Sequence, residues 1–453
     1  MGNCQGNQSH ISNAGQTSST TGQGAPSDWE RDLDKYLEDL NDYLDKNQEF
    51  KESLSKSLAN ASACAQNLDV NLFNVLKDVH GWPTSINDYN RFLRAFATYA
   101  PQQHKHPGWV GTKHGDEYMQ SHQEVYDRLC HFYFLINDIQ NNDWFSRWLV
   151  QFARVWGKFC DSPDSISPET IYSFYELSPK FEVLDCMIPM NEEDRPEVLP
   201  EFTICNRDGE PLIPNNPSGW KTWNQLFARE LNPGLRPIIS PEDNTAICSP
   251  ADCTYRMHYP ISETNLVGSG NDVRLKSTHS IGNISDLLSG LECNEEFAGG
   301  TFVHYFLGAY SYHRFHAPVA GKVMDCRTIP GKVYLNVRIN DGQFDAPDNS
   351  EDGGGYEFSQ ARGVIVLDTK GSPYGDIGLV AVIPVGMCQV SAVRMTATKG
   401  SSLQKGDEFG YFMFGGSDII MLFQKGRVRK ILDGTEYNKY GTKVVDGNKV
   451  QAM

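Results

Sequence analysis

The chain has 453 residues, with 39% hydrophobic and 21% charged residues and a formal net charge of −17. An acidic surface repels phosphate groups, so nucleic acid is excluded as the expected partner and broad contact with anionic lipid is disfavoured. The length is enough for two or three domains, each able to bury a core.

The cysteine pattern and the chain start bear on location. Eleven cysteines form no CxxC pair and no zinc-type spacing, which predicts reduced thiols and a cytoplasmic protein. No apolar run is long enough to span a membrane, and no secretory signal is expected. Gly2 and Cys4 resemble acylation positions, although Gly6 replaces the usual Ser or Thr. Acylation would make the protein peripheral to a membrane; otherwise residues 1–27 are a disordered polar leader.

A helical N-terminal domain is predicted for residues 28–185. Ser27 is a suitable N-cap, and the face opposite the first apolar stripe is acidic, unlike that of a membrane-lying helix. Aromatic-rich stretches at residues 89–96 and 144–148 are interpreted as core rather than as a cofactor site. The apolar stripe has helical spacing and consists of Leu33, Leu37, Leu40, Leu44, Phe50, Leu54 and Leu58.

A Pro-rich linker is predicted for residues 186–219, and a β-rich domain for residues 220–453. The runs at 364–367 and 379–383 have the character of buried strands. An acidic, Gly-rich insert at residues 340–356 is either a flexible loop or a lid over a site. The fold class expected is therefore α+β.

The sequence GGS at residues 415–417 lies between two strand-like runs and by itself is typical of a hairpin turn or bulge. It also permits a specific reaction. A serine hydroxyl can attack the preceding carbonyl if the peptide is strained and a base takes the proton, and Gly416 leaves that carbonyl open. Elimination from the ester and hydrolysis would leave a pyruvoyl group at Ser417, which forms a Schiff base with a substrate amine and acts as an electron sink.

This reaction needs a base and an orienting group. His313 and His316, in the motif YHRFHAP, share a face in a helical turn and point oppositely in a strand, and Pro318 disfavours a long helix. Alternatives are ordinary buried polar histidines, or a metal pair with His304, whose spacing matches no ligand motif. Asp252, in the motif SPAD, supplies a carboxylate on a turn.

Together and in this order, the motifs resemble the phosphatidylserine decarboxylase family of pyruvoyl enzymes. The resemblance covers about residues 220–435 and implies a β-rich, barrel-like catalytic domain. The matching motifs are WNQLFAR and NPGLRPI between residues 223 and 238, SPAD at 249–252, YHRFHAP at 312–318, VG at 385–386, KGDEFG at 405–410, GGS at 415–417 and LF at 422–423.

The resemblance implies a role for each matched residue. Ser417 becomes the pyruvoyl cofactor, with scission after Gly416, so that a large and a small chain of one precursor are partners. Asp252 and His316 drive self-cleavage in a Ser-His-Asp arrangement. His313 assists decarboxylation as the acid that reprotonates the carbanion. Neither a metal nor PLP is expected.

Asp418 departs from the family pattern, which usually has Ser or Thr after the reactive serine. A carboxylate beside the pyruvoyl would repel a substrate carboxylate or hold its ammonium group. The Asp418 carboxylate would also slow self-cleavage if it stabilised the wrong charge during that reaction.

Two substrate classes are open. The chain resembles the fungal L-tryptophan decarboxylase-like branch around residues 83–89 and in the acidic insert at 345–349. A lipid substrate needs an apolar or basic docking surface, whereas a free amino acid needs only a closed pocket, which a lid can supply. The expected substrate is a free aromatic L-amino acid such as tryptophan, with phosphatidylserine as the alternative. An unprocessed scaffold and a metal-dependent hydrolase using His313 and His316 are the other classes considered.

Overall fold

The computed structural model describes residues 27–102, 123–167, 170, 204–205, 211–212, 220–230, 234–267, 282–308, 311–346, 358–386, 393–414, 417–434 and 437–450. Helices dominate its N-terminal part and strands its C-terminal part, which confirms the α+β class. The predicted leader, with Gly2 and Cys4, lies outside the described residues, as does most of the predicted Pro-rich linker. The domain boundaries stay a prediction.

The first described helix begins after the N-cap that the sequence predicts, Ser27. Ser27 accepts a hydrogen bond from the backbone of Glu30, whose carboxylate accepts one from the backbone of Ser27 at 2.7 Å, forming a capping box. The predicted apolar stripe is buried, but it is divided between two helices because the first ends before Asn47. The helices are α1 (Asp28–Lys46), α2 (Gln48–Cys64), α3 (Val70–His80), α4 (Ile86–Ala97), α5 (Gln123–Leu135) and α6 (Asp143–Cys160).

The aromatic stripes of the helical region are core, as predicted. Tyr89 and Phe96 of α4 and Phe145 and Trp148 of α6 are all buried. Trp148 also donates its indole N–H to the carbonyl of Tyr36 at 2.8 Å, which links α6 to α1. Large aromatic rings bury much apolar area, and the indole finds a polar partner when it is buried. These contacts make the helices one packed unit.

The β region is built on an open antiparallel sheet of eight strands in the order β13-β7-β10-β11-β15-β5-β4-β17. The predicted barrel is therefore not closed. The strands are β1 (Ile204–Cys205), β2 (Pro211–Leu212), β3 (Ala246–Cys248), β4 (Cys253–Pro260), β5 (Thr301–Leu307), β6 (Arg314–His316), β7 (Gly321–Ile329), β8 (Arg338–Asn340), β9 (Gln343–Asp345), β10 (Arg362–Asp368), β11 (Leu379–Gly386), β12 (Val393–Met395), β13 (Ser402–Leu403), β14 (Glu408–Phe412), β15 (Ser417–Phe423), β16 (Val428–Ile431), β17 (Tyr437–Asn438) and β18 (Lys443–Gly447).

The central strands β10, β11 and β15 are buried on both faces, which explains their continuous apolar runs and confirms the two predicted buried strands. On one face, Ile419 and Met421 join the large core that includes helices α1 to α6. On the other face, Ile420 and Leu422 pack with Ile284 of the short helix α8 (Ile284–Leu287). Because side chains alternate along a strand, Ser417 lies on the first face and Asp418 on the second.

A hairpin of β8 and β9 joins the two regions. The carbonyl of Gly342, at its tip, accepts a hydrogen bond from the backbone of Asp69 at 2.7 Å. Phe344 packs on Phe134 of α5, with ring centroids 5.4 Å apart. Residues 340–346 of the predicted insert are thus a docked hairpin rather than a flexible loop. The remainder of that insert, with the lid interpretation, lies outside the described residues.

Two smaller three-stranded sheets complete the β region. One has the order β12-β14-β6 and the other β16-β18-β3. A short helix, α7 (Trp223–Phe227), lies between the helical and the β regions. None of the described helices has both the length and the apolar character that a bilayer span requires.

Candidate active site

Ser417 is the first residue of β15, between Leu307 of β5 and Gly386 of β11. The preceding strand β14 belongs to a different sheet, so the GGS segment connects two sheets and is not a hairpin turn. The side chain of Ser417 is fully buried, and its hydroxyl has no hydrogen-bond partner among the described residues. A buried unpaired hydroxyl costs about 1–3 kcal/mol and calls for an explanation, of which a reactive role is one. Gly416 lies outside the described residues.

His313 lies just before β6, with its ring stacked on Phe227 at 3.7 Å between centroids. Burial, and next the positive charge of Arg229, lower the pKa of His313 well below its ordinary value, so the ring is neutral at pH 7. Neither ring nitrogen reaches a hydrogen-bond partner at good geometry within the part of the chain that the structure describes. The carbonyl of His313 accepts from the backbone of Phe412, at the end of β14. His313 is thereby attached to the segment that leads into Ser417.

His316 is held by contacts on both ring nitrogens. Its Nδ1 lies 2.8 Å from the carbonyl oxygen of Gly406 and must carry the hydrogen, because a carbonyl only accepts. Its Nε2 therefore accepts from the hydroxyl of Tyr312 at 3.0 Å. The ring of Tyr440 stacks on the imidazole at 3.8 Å. Burial is the main cause that lowers the pKa of His316 to about 4.

Asp252 is buried and bound by two groups. Arg236 donates to both carboxylate oxygens, at 3.2 and 2.5 Å, and the backbone of Tyr440 donates at 2.8 Å. Within the described residues, Asp252 makes no hydrogen bond to His316. The two are connected through Tyr440, whose backbone contacts the carboxylate and whose ring covers the imidazole. The structure therefore brings Asp252 and His316 together indirectly.

Sequence reasoning missed three of these residues. Arg236 and Tyr312 stand inside recognised motifs, NPGLRPI and YHRFHAP, but neither motif shows which side chain they contact. Tyr440 carries no local signal at all, since it lies 188 positions from Asp252, to which it donates.

Asp418 does not face the same way as Ser417. Its carboxylate lies 3.1 Å from Nε2 of His304 on β5, and both side chains are buried. This pair lies on the second face of the sheet, whereas Ser417 lies on the first. His304 is the cross-strand neighbour of Ile420, whose side chain packs on the second face, so the two side chains point the same way. The expected carboxylate beside the reacting group is therefore directed away from it.

His304 is thus paired with a carboxylate rather than grouped with His313 and His316. Those two histidines have separate surroundings, one on Phe227 and the other between Tyr312 and Tyr440. Across the described ranges, no three His, Cys, Asp or Glu side chains converge as metal ligands.

Comparison with known proteins identifies relatives of this chain. The 302-residue match to "Phosphatidylserine decarboxylase proenzyme" of Clostridium novyi is 29% identical and covers 66% of this chain and 84% of that protein. "Phosphatidylserine decarboxylase proenzyme 2" of Oryza sativa is 28% identical over 245 residues, which are 53% of this chain and 35% of the relative. "Decarboxylase iboD" of Amanita muscaria is 29% identical over 221 residues, which are 45% of this chain and 59% of the relative.

The chain thus spans about a third of the rice protein and about three fifths of the fungal one. A sequence model of the family described as phosphatidylserine decarboxylase matches residues 223–449, half of the chain. The matched range contains Ser417, His313, His316 and Asp252, and it excludes helices α1 to α6. The chain therefore belongs to the phosphatidylserine decarboxylase family.

Proposed function

We propose that this chain is a self-processing, pyruvoyl-dependent decarboxylase that cuts itself between Gly416 and Ser417. The observation that carries the proposal is the hydroxyl of Ser417, which is buried at the start of a central strand within the family match and has no hydrogen-bond partner among the residues that the structure describes. The residues present fit a pyruvoyl group at this position. No described side chain is bonded to the Ser417 hydroxyl, so no such bond would have to break when the hydroxyl is lost.

Self-cleavage is a sequence of balanced steps at Ser417. Its hydroxyl gives its proton to the base and its oxygen bonds to the carbonyl carbon of Gly416. The C–N bond between the two residues then breaks, and the nitrogen takes up that proton, which gives an ester and a free amine. Removal of the Cα proton then breaks the Cβ–O bond and releases the carboxylate of Gly416. Water replaces the nitrogen of the resulting dehydroalanine, ammonia leaves, and the keto group of the pyruvoyl remains.

His316 and Asp252 are proposed to serve self-cleavage. A base must be unprotonated at working pH, and the low pKa of His316 meets that requirement. The ring nitrogen Nε2 of His316 carries the lone pair that can accept the proton of the Ser417 hydroxyl. Because the hydroxyl of Tyr312 is bonded to this nitrogen, Tyr312 must either break that hydrogen bond or relay the serine proton to Nε2. Arg236 fixes the carboxylate of Asp252, and that carboxylate accepts a hydrogen bond from the backbone of Tyr440, the residue whose ring stacks on His316.

His313 is proposed to serve the decarboxylation. The pyruvoyl group, once formed, supplies an electron sink for loss of CO2 from an amine-bearing carboxylate. The carbon that loses CO2 then needs a proton, which the single N–H of the neutral His313 ring can donate. The carbonyl of His313 accepts a hydrogen bond from the backbone of Phe412, which is nearer in sequence to Ser417 than Glu408, the residue of the same strand that pairs with His316. The large chain and the small chain that begins at Ser417 would both contribute to the site.

The substrate proposed is a free aromatic L-amino acid such as tryptophan. The net charge of −17 and the acidic outer face of α1 support it, because both oppose an anionic bilayer. The fungal relative iboD is named only as a decarboxylase, which is compatible with this class. We place the enzyme in the cytoplasm, with membrane contact if Gly2 and Cys4 are acylated.

Phosphatidylserine is the second candidate substrate, with phosphatidylethanolamine as its product. The specific observation in its favour is that the rice and clostridial relatives are both named phosphatidylserine decarboxylase proenzymes.

Intact-mass analysis of the purified protein tests the processing. We expect a large chain ending at Gly416 and a small chain whose blocked N-terminus reacts with hydroxylamine or borohydride. Ser417→Ala should remain one chain. An unbroken, folded wild-type chain would instead favour the non-catalytic scaffold, and activity lost to chelators would favour the metal-dependent hydrolase.

Product analysis separates the substrates. Processed protein is incubated with free tryptophan, tyrosine and serine, and in parallel with liposomes that contain phosphatidylserine. Release of CO2 and the matching amine from tryptophan or tyrosine supports the amino-acid proposal. If CO2 is released only in the incubation with liposomes, the substrate is phosphatidylserine.

A further inference from the structure

Phe414 is the last described residue before the scissile segment, and it is anchored by the helical region. Its buried ring packs edge-on against Trp156 of α6, with centroids 4.8 Å apart, and against Trp223 of α7 at 4.4 Å. Edge-to-face packing of this kind adds about 0.5–1.5 kcal/mol to the burial of the ring. The helical region therefore contacts the chain two residues before Gly416.

Asn224 forms the polar part of the same anchor. Its side-chain oxygen accepts a hydrogen bond from the backbone N–H of Phe414 at 3.2 Å. Its amide nitrogen donates to the carbonyl of Gly157 at 3.1 Å and to the carboxylate of Asp161 at 2.9 Å, both at the end of α6. One buried amide thus bonds the chain entering the scissile segment to α6.

Helix α7 is itself fixed to the helical region. The indole N–H of Trp223 donates to the carbonyl of Pro101 at 2.7 Å, and its backbone N–H donates to the hydroxyl of Ser165 at 2.9 Å. Asn224 therefore transmits the position of the helical region to Phe414.

The other side of the scissile segment is fixed by different elements. Ser417 is paired with Leu307 and Gly386 at the centre of the eight-stranded sheet. Only two glycines separate it from Phe414, and glycine gives a chain more conformational freedom than any other residue. Anchoring both ends removes much of that freedom, which favours reaction by keeping the attacking oxygen near the carbonyl.

We propose that the helical region is part of the self-cleavage apparatus, and that Asn224 and Trp156 are positioning residues for the bond between Gly416 and Ser417. This inference rests on the proposed self-processing. It gives a function to a region that lies outside residues 223–449, the range matched by the family.

A pulse-chase experiment in cell-free synthesis tests the inference. The rate at which labelled full-length precursor becomes large chain is followed on denaturing gels. We expect Asn224→Ala to slow this conversion at least about tenfold, since small misplacements of reacting groups cost up to about a hundredfold. Asn224→Asp, which has the same shape but cannot donate to Gly157 and repels Asp161, should also be slow and provides the test if Asn224→Ala does not fold.

Asn244 provides the matched control. It is also buried, but its side chain bonds Ala320 and Gly375 of the β region instead of residues of the helical region. Asn244→Ala should lose thermal stability and still convert at the wild-type rate. Equal slowing of the Asn224 and Asn244 variants, or a wild-type rate for the Asn224 variants, would overturn the inference alone. A wild-type chain that never cleaves would overturn the proposed function as well.

Discussion

The imidazole of His316 is kept neutral by its surroundings, and this determines how self-cleavage should respond to pH. Burial lowers its pKa from the ordinary 6.5 to about 4, so the ring stays unprotonated above that value. We expect the rate of self-cleavage to be nearly constant between pH 8 and pH 5. Pulse-chase rates measured across this range check it, and a loss of rate centred near pH 6.5 would contradict it.

The hydroxyl of Tyr312 is bonded to His316, while that of Tyr305 has no partner among the described residues. Both tyrosines are buried, so a Tyr→Phe substitution at each position removes the same group, once with its hydrogen bond and once without one. We expect Tyr312→Phe to reduce the free energy of unfolding by about 1–2 kcal/mol more than Tyr305→Phe, because it leaves Nε2 of His316 unsatisfied. Urea unfolding of both variants, on the uncleaved Ser417→Ala chain, measures the difference. Equal values would show that the Tyr312 bond contributes nothing.

Asp418 is expected to support the fold rather than the chemistry. Its carboxylate faces His304 on the side of the sheet opposite to Ser417. We therefore expect Asp418→Asn to lose about 1–3 kcal/mol of stability, as when one partner of a buried polar pair is altered, and still to cleave. Intact mass and urea unfolding give the two results. A folded Asp418→Asn chain that stays unbroken would show that this carboxylate acts in processing.

At the scale of elements, periodicity predicted the stripe of α1 and the strands β10 and β11 because such patterns depend only on neighbouring residues. Sheet order was not predictable, since β15 lies between β5 and β11, strands that are distant in sequence. For the same reason, a local reading of GGS suggested a hairpin where the chain crosses between sheets. The motifs identified Ser417, but the contacts of Asp252 with Arg236 and Tyr440 depend on tertiary structure.

The tip of the β8–β9 hairpin depends on a residue that can adopt positive φ. Gly342 has φ of +82°, and its carbonyl accepts a hydrogen bond from the backbone of Asp69. Gly434 is the control, because its φ is not positive and a Cβ added there would touch no other atom. We expect Gly342→Ala to lower the free energy of unfolding by about 1–2 kcal/mol, the cost of the left-handed conformation for an L-residue. Gly434→Ala should be nearly neutral in the same urea titration. Equal effects of the two substitutions would show that the hairpin tip is not strained by a side chain.

At the scale of the whole molecule, the two regions share one hydrophobic core. The same large cluster includes Leu40 of α1, Trp156 of α6 and Met421 of β15. The sequence predicted a helical and a β-rich part but gave no sign of this continuity, because composition does not reveal which apolar faces meet. Unfolding of the helical region should therefore be coupled to that of the sheet, which makes global stability a property of the entire chain.

Four buried histidines should make that global stability sensitive to acid. Burial is the largest cause that lowers the pKa of each one; they are His80, His131, His313 and His316. A lowered pKa means that the unfolded chain binds protons first, so this stability is present above pH 6.5 and is lost as the pH falls toward the folded values. Each histidine contributes a slope of up to about 1.4 kcal/mol per pH unit in that window.

We therefore expect the urea midpoint of the Ser417→Ala chain to fall steeply between pH 7 and pH 5. Carboxyl groups with a lowered pKa, such as Asp243, change stability only at lower pH. Glu408, whose pKa is raised, opposes the loss of stability in acid, but it is a single group. His131, whose pKa is lowered to about 3, stacks on Trp82, and His131→Leu should flatten the pH dependence. A midpoint that is the same at both pH values would mean that these imidazoles gain protons without unfolding the chain.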